Sequence, residues 1–170
     1  MAAWEFQMLQ NIAEKHGWHK FISMQNYYNL IYREEEREMI PYCKATGVGL
    51  IPWSPIARGA LARPFGERGT LREKSDKFLK TMIRDPETET DKAVIDRVDE
   101  IAKKRGVSMT CVATAWCLTK DVCPIIGLSS KERIEEACAN VKFASEGKLT
   151  KEDIEYLEDA YRPKKVSSRW

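Results

Sequence analysis

Three short stretches of this 170-residue chain pair chemically capable side chains with backbone that has to turn. The first is Ile126-Gly127-Leu128-Ser129-Ser130, which runs into a helix carrying Lys131, Arg133 and Glu136. A strand that ends in glycine and hydroxyl residues and feeds a helix makes an anion site. The unpaired N–H groups of the first turn point outward and the helix dipole favours negative charge there. The same residues also describe an ordinary strand-to-helix turn with a serine cap, and the pattern alone does not separate the two. The second stretch is Pro52-Trp53-Ser54-Pro55-Ile56-Ala57-Arg58-Gly59-Ala60-Leu61. An indole at a strand end can stack on a planar ring, or it can be core beside strand-breaking prolines. The third is Ser23-Met24-Gln25-Asn26-Tyr27-Tyr28-Asn29. Side-chain amides offer a donor and an acceptor together, which suits a carboxamide; an Asn-rich turn flanked by tyrosines is the alternative.

Other chemistries find little support. His16 and His19 flank a turn with no partner at metal-ligand spacing, and the five cysteines include no pair separated by two residues. They read as reduced thiols of a cytoplasmic protein. The run Glu34-Glu35-Glu36 reads as the solvated start of a helix. Charges of 28 Lys/Arg against 26 Asp/Glu leave a net of +2, which gives nucleic acid no electrostatic footprint. No apolar run approaches the ~18 residues of a membrane span, and the first residues lack the regions of a signal peptide.

The elements that must position these stretches follow from periodicity and punctuation. Helical spacing covers 3–16, stopped by Gly17, and 33–46, stopped by Gly47. Short apolar runs at 21–24, 48–53 and 123–126 are strand candidates. A helix between two such runs is the signature of a parallel sheet, so the chain is α/β. Residues 54–90 form a long loop with a helical turn near 78–83; loops of this length usually serve function. Helices follow at 91–105, at 109–119 behind the N-cap Ser108, at 131–139 and at 151–160. Ser129/Glu132 and Thr150/Asp153 have capping-box spacing. A single domain over 1–161 and a loose tail over 162–170 complete the layout.

Taken together and in this order, the three motifs resemble the C-terminal half of the aldo-keto reductase family, nearest the fungal aryl-alcohol dehydrogenase-like branch that also holds norsolorinic acid reductase-like proteins. The resemblance implies a (β/α)8 barrel that binds NADP(H) without a Rossmann fold. It also implies hydride transfer between nicotinamide and the carbonyl of a small aromatic aldehyde or ketone, or back from the alcohol. By position, Gln25 matches the residue bonding the nicotinamide carboxamide and Trp53 the aromatic stacked on its ring. Ser54, Pro55, Ile56, Ala57, Gly59 and Leu61 match the loop along the pyrophosphate. Ile126, Gly127, Ser129, Arg133 and Glu136 match the segment around the adenosine 2′-phosphate and adenine. At Arg133 many relatives have Gln or His, and at Ala137 many have Asn.

The resemblance also implies what is missing. The family's Asp, Tyr, Lys and His tetrad lies on earlier strands, and Met1 corresponds to a point just after the fifth. The chain is therefore expected to supply strands six to eight. A complete barrel needs about 250 residues. Lys20, Tyr27 and Tyr28 sit on the wrong strand to replace the tetrad. The isolated chain is expected to lack turnover and to self-associate through open sheet edges. A non-catalytic, vestigial half-barrel that binds nucleotide or protein is the alternative.

Overall fold

The computed structural model describes residues 1–67, 69 and 74–166. Its order is α1 (Ala3–Lys15), β1 (Ser23–Met24), a 3-10 turn (Glu34–Glu36), α2 (Met39–Thr46), β2 (Gly49–Leu50) and a kinked 3-10 segment (Ala57–Ala62). Then come the short α3 (Lys77–Leu79) with a π-helical extension (Lys80–Arg84), α4 (Glu89–Arg105), α5 (Met109–Leu118), α6 (Lys131–Ser145) and α7 (Lys151–Asp159).

β1 and β2 pair in parallel, Ser23 opposite Gly49 and Met24 opposite Leu50. The register continues past the named strands to a bridge between Tyr27 and Trp53. The expected third strand is present as extended chain. Cys123 N donates to Leu50 O and Ile125 N to Pro52 O, both at 2.8 Å, and Ile125 bridges Trp53. Prolines explain the brevity of the ladder, because Pro52 and Pro124 have no N–H to donate. Side chains alternate between the faces. Met24, Asn26, Leu50, Pro52, Val122 and Pro124 are buried or half-buried, whereas Ser23, Gln25, Gly49, Cys123 and Ile125 are exposed. The sheet is thus covered by helices on one face and left unclosed on the other.

The helical layer is locally well specified. Thr88 and Asp91 form a reciprocal capping box for α4, and Gly106 ends it at φ 66°. Ser108 accepts from Cys111 N to start α5, and Thr150 with Asp153 starts α7. α5 is apolar nearly all round and buried from Cys111 to Cys117. Its Trp116 is fully buried, with the indole N–H donating to Glu158 Oε1 at 2.8 Å. On α4, Val94, Ile95 and Val98 are buried and Ala93 is exposed.

Several expectations are corrected. The helix read over 33–46 is split, because Pro41 cannot bond to the Arg37 carbonyl and its ring would clash there. α2 begins instead at Met39, with its first helical bond from Tyr42 N to Glu38 O at 2.9 Å. The glutamate run is not a solvated face: Glu34 is only 5% exposed. Its carboxylate pairs with Arg37 at 2.7 Å and accepts from the Tyr161 hydroxyl and Lys164 N, both at 2.6 Å. The same contacts tie down the C-terminal segment, read as loose from Arg162, as far as Lys164, whose ammonium also pairs with the buried Asp91. Ser130, not Ser129, caps α6, which runs to Ser145 rather than ending at 139. Residues 68 and 70–73 of the long loop and 167–170 of the tail lie outside the described residues.

Candidate functional site

The loop after β2 is built on strained backbone. Ser54, Ala57 and Arg58 hold positive φ of 56°, 47° and 53°, and Gly59 follows at 100°. A non-glycine residue in this region costs about 1 kcal/mol or more, and such strain clusters at functional turns. The surroundings impose it. Asn29 Nδ2 donates to Ser54 O at 3.1 Å, and Ala57 and Leu61 are fully buried anchors. Arg58 then reaches across to Asp76, with Nε and Nη2 at 2.9 and 2.7 Å from one carboxylate oxygen. The other oxygen caps α3 by accepting from Phe78 N and Leu79 N. Burial pushes the Asp76 carboxyl up, but the bonds from Leu79 N–H and Arg58 outweigh it and hold the group below its ordinary value.

Between this loop and the start of α6 lies a cavity of about 550 Å³. Ile56, Gly59, Ile126, Gly127, Ser129, Arg133 and Glu136, seven of the residues picked out from the sequence, line it. A Cβ added at Gly127 would meet nothing within 4 Å, so a ligand can approach the backbone there. The α6 N-terminus adds orphan N–H groups. Arg58, Arg63 and Arg133 contribute guanidinium groups, of which Arg58 is neutralised by Asp76. Glu136 is fixed by Ser108, whose hydroxyl donates to Oε1 at 2.8 Å. Sequence reading missed Arg58, Arg63, Ser108, Thr110 and Asn140 as members of this lining. Arg58 stood inside a quoted motif and Ser108 was legible only as a cap. Nothing local marks Asn140.

The remaining picks lie elsewhere. Pro55, Ala57 and Leu61 are buried, so they shape the loop rather than face the cavity. Gln25 is exposed on the open face of the sheet, and Asn26, the other amide of that motif, is buried on the covered face. The two therefore do not form one amide pair. Trp53 is half-buried on the open face and stacks on Tyr27 at 4.5 Å and 30°, and Tyr27 stands 4.8 Å from Tyr32. Burial pushes the Tyr27 phenol up to about 12. Beside these rings is a second cavity of about 550 Å³, lined by Tyr27, Tyr32, Met82, Ile83, Pro163 and Val166 among others. Tyr28 is occupied: its hydroxyl donates to Glu36 Oε1 at 2.5 Å, and burial with that bond raises its pKa far above the ordinary phenol value. Lys20 is exposed and pairs with Glu14 at 3.3 Å. Among the described residues no helix is long and apolar enough to cross a membrane.

Comparison with known proteins gives this arrangement its context. The family model described as the aldo/keto reductase family matches residues 2–162. The chain is 61% identical over 98% of its length to versiconal hemiacetal acetate reductase of Aspergillus parasiticus, covering 48% of that protein. It is 54% identical over 96% of its length to a Schizosaccharomyces pombe protein named as an aryl-alcohol dehydrogenase, again covering 48%. An aldo-keto reductase of Fusarium vanettenii is 48% identical over 98% of the chain, which covers 44% of that relative. The chain thus spans about half the length of the curated relatives it matches. A family match over nearly every residue, with the two glycine-bearing loops meeting at one cationic cavity, leads to one conclusion: the chain belongs to the aldo/keto reductase family.

Proposed function

We propose that this chain is the C-terminal part of an NADP(H)-dependent aldo-keto reductase of the aryl-alcohol dehydrogenase type, contributing strands six to eight of a partial (β/α)8 barrel. The whole protein, placed in the cytoplasm, interconverts small aromatic aldehydes or ketones with alcohols. The observation that carries this reading is the cavity in which Gly59, Gly127, Arg133 and Glu136 meet. Its donor set fits a dinucleotide: cations and a helix N-terminus for phosphate, open space at Gly127, and neutral polar groups deeper along α6.

Each residue then has a task. Arg133 and Ser129 hold the adenosine 2′-phosphate, and Gly127 with the loop from Ser54 to Leu61 follows the pyrophosphate. Trp53, backed by Tyr27, orients the nicotinamide ring, and Gln25 holds its carboxamide. When bound, the dinucleotide supplies or accepts the hydride. The proton must come from outside this chain, since Tyr28 is committed to Glu36 and Tyr27 is buried against Trp53 and Tyr32. The apolar cavity beside Tyr27 suits the aromatic end of a substrate.

A second reading, a non-catalytic nucleotide-binding or interaction module, is favoured by the uncovered sheet face. One experiment addresses both. Purified chain is titrated with NADPH and with NADH by tryptophan fluorescence, then assayed with benzaldehyde. NADPH binding without turnover is expected. Arg133→Ala should weaken NADPH by about tenfold, the loss of one charge-assisted contact, and NADH much less. Equal loss for both cofactors would remove Arg133 from the 2′-phosphate, and turnover would show that the acid–base group is on this chain after all.

A further inference from the structure

The second cavity, beside Tyr27, is lined mainly by rings and apolar side chains. The phenol rings of Tyr27 and Tyr32, 4.8 Å apart, form one side. Met82 and Ile83 form another. They stand on the π-helical turn Lys80–Arg84, closed by Asp85 N donating to Lys80 O at 2.8 Å. Single turns of this kind recur at functional sites. The threonine hydroxyls of the lining are already spent: Thr81 donates to Lys77 O at 3.0 Å and Thr88 to Asp91 at 3.1 Å. The remaining wall is the C-terminal segment 163–166. Lys164 fixes it, because its N–H donates to Glu34 at 2.6 Å and its ammonium is neutralised by the buried Asp91. Lys165 follows directly. It lines the cavity, and its ammonium has no ion-pair or hydrogen-bond partner among the described residues. Arg84 and Glu87, on either side of the turn that carries Pro86, pair with each other at 2.6 Å and so cancel. An unneutralised cation beside a low-dielectric wall attracts an anion more strongly than it would in open water.

We propose that this cavity takes an aromatic carbonyl compound whose ring bears an anionic oxygen, a carboxylate or an ionised phenol, and that Lys165 pairs with that oxygen. The ring lies among the tyrosines, Met82 and Ile83, and the charge lies at the rim, where Lys165 is exposed. A neutral ring gains the apolar contact alone, and an anionic one adds the ion pair. Lys165 acts on affinity and takes no part in bond making. The inference rests on the reading of this cavity as the place of the aromatic substrate, and it adds that substrate's charge.

The test titrates the full chain with para-formylbenzoate and with para-formylbenzamide, its neutral isostere, by ligand-observed NMR. The carboxylate should bind roughly two- to fivefold more tightly at low ionic strength, the range of one solvated ion pair, and added salt should erase the difference. Para-hydroxybenzaldehyde, titrated below and above the ionisation of its phenol, supplies the second anion; tighter binding of either anion supports the proposal and names the acid. In Lys165→Gln the preference should vanish while the neutral amide binds as before, and Lys165→Arg should keep it. Lys165 is exposed, so neither substitution disturbs the core. An unsubstituted chain that favours neither anion, or a preference that survives in Lys165→Gln, overturns the proposal. Met82→Trp fills the cavity and should weaken every probe, charged or neutral. Unchanged binding in that variant, or an unsubstituted chain that binds none of the probes, overturns the reading of the cavity itself.

Discussion

The two faces of the small parallel sheet share one backbone and differ in everything laid over it. On the covered face, Asn26, Leu50, Pro52 and Val122 are buried beneath helices, and the core continues through Leu61, Val94, Val98, Val112 and Trp116. On the other, Gln25 and Ile125 are exposed and Trp53 is half-buried. The helix α1 repeats the contrast within a single element. Phe6, Gln10 and Ala13 are buried, while Trp4, Met8 and Ile12 form an apolar stripe open to solvent. Contiguous exposed apolar surface is a candidate contact for another chain.

The largest difference expected between the faces is in stability. Trp116→Ala removes a fully buried indole and its bond to Glu158. Urea unfolding should show a loss of roughly 3–5 kcal/mol. Ile125→Ala on the open face should stay within about 1 kcal/mol. Similar losses for both would mean that the open face is covered in solution.

What could be read from the sequence divides along a related line. The caps at Ser108 and Thr150 and the stop at Gly47 are local, set by residues within one turn, and they are where the sequence puts them. Glu34 went astray because its partners, Tyr161 and Lys164, lie 127 and 130 residues away. The candidate site divides the same way. Turn chemistry marked Gly59, Gly127 and Ser129, but only packing brings Thr110 and Asn140 to the same cavity.

A smaller effect concerns the electrostatics of the covered side. Asp153 on α7 accepts from Lys104 Nζ at 2.9 Å and Arg105 Nε at 2.7 Å, which joins α7 to the end of α4. Burial pushes this carboxyl up, but the bonds from Lys104, Arg105 and the Thr150 backbone prevail and hold it below the ordinary value. A depressed folded pKa contributes stability that is present above the unfolded value of about 3.9 and is lost as pH falls through the folded one. Asp153→Asn should therefore destabilise at neutral pH, by about 1–2 kcal/mol since Lys104 is well solvated. The variant and the original should converge as pH drops below about 4. A gap that persists unchanged at low pH would place the effect in packing rather than charge.

The smallest folding effect is expected on the open side, where association should change most. We infer that the α1 stripe and the exposed edge near Phe21 and Ile22 bring copies of the chain together. The Gln10 amide bonds both the N–H and the C=O of Phe21, and the edge of β1 beyond it lies beside that apolar surface, a template for another chain. Removing surface of this kind from water is worth roughly 25 cal/mol per Å². Charge placed on it should oppose contact without touching the core. The variant Trp4→Lys/Ile22→Lys should unfold within about 0.5 kcal/mol of the original at concentrations where both are monomeric. Light scattering at micromolar concentration should show assemblies for the original chain and monomers for the variant. A monomeric original chain would remove the proposed self-association. Equal assembly of both would move the contact to the opposite edge of the sheet, near Ile125 and Leu128, which are also exposed. NADPH titration of the monomeric variant then asks whether the cavity forms within one copy. Unchanged affinity is expected, because Gly59, Gly127, Arg133 and Asn140 all lie away from α1 and β1 in the chain and line a cavity to which neither element contributes.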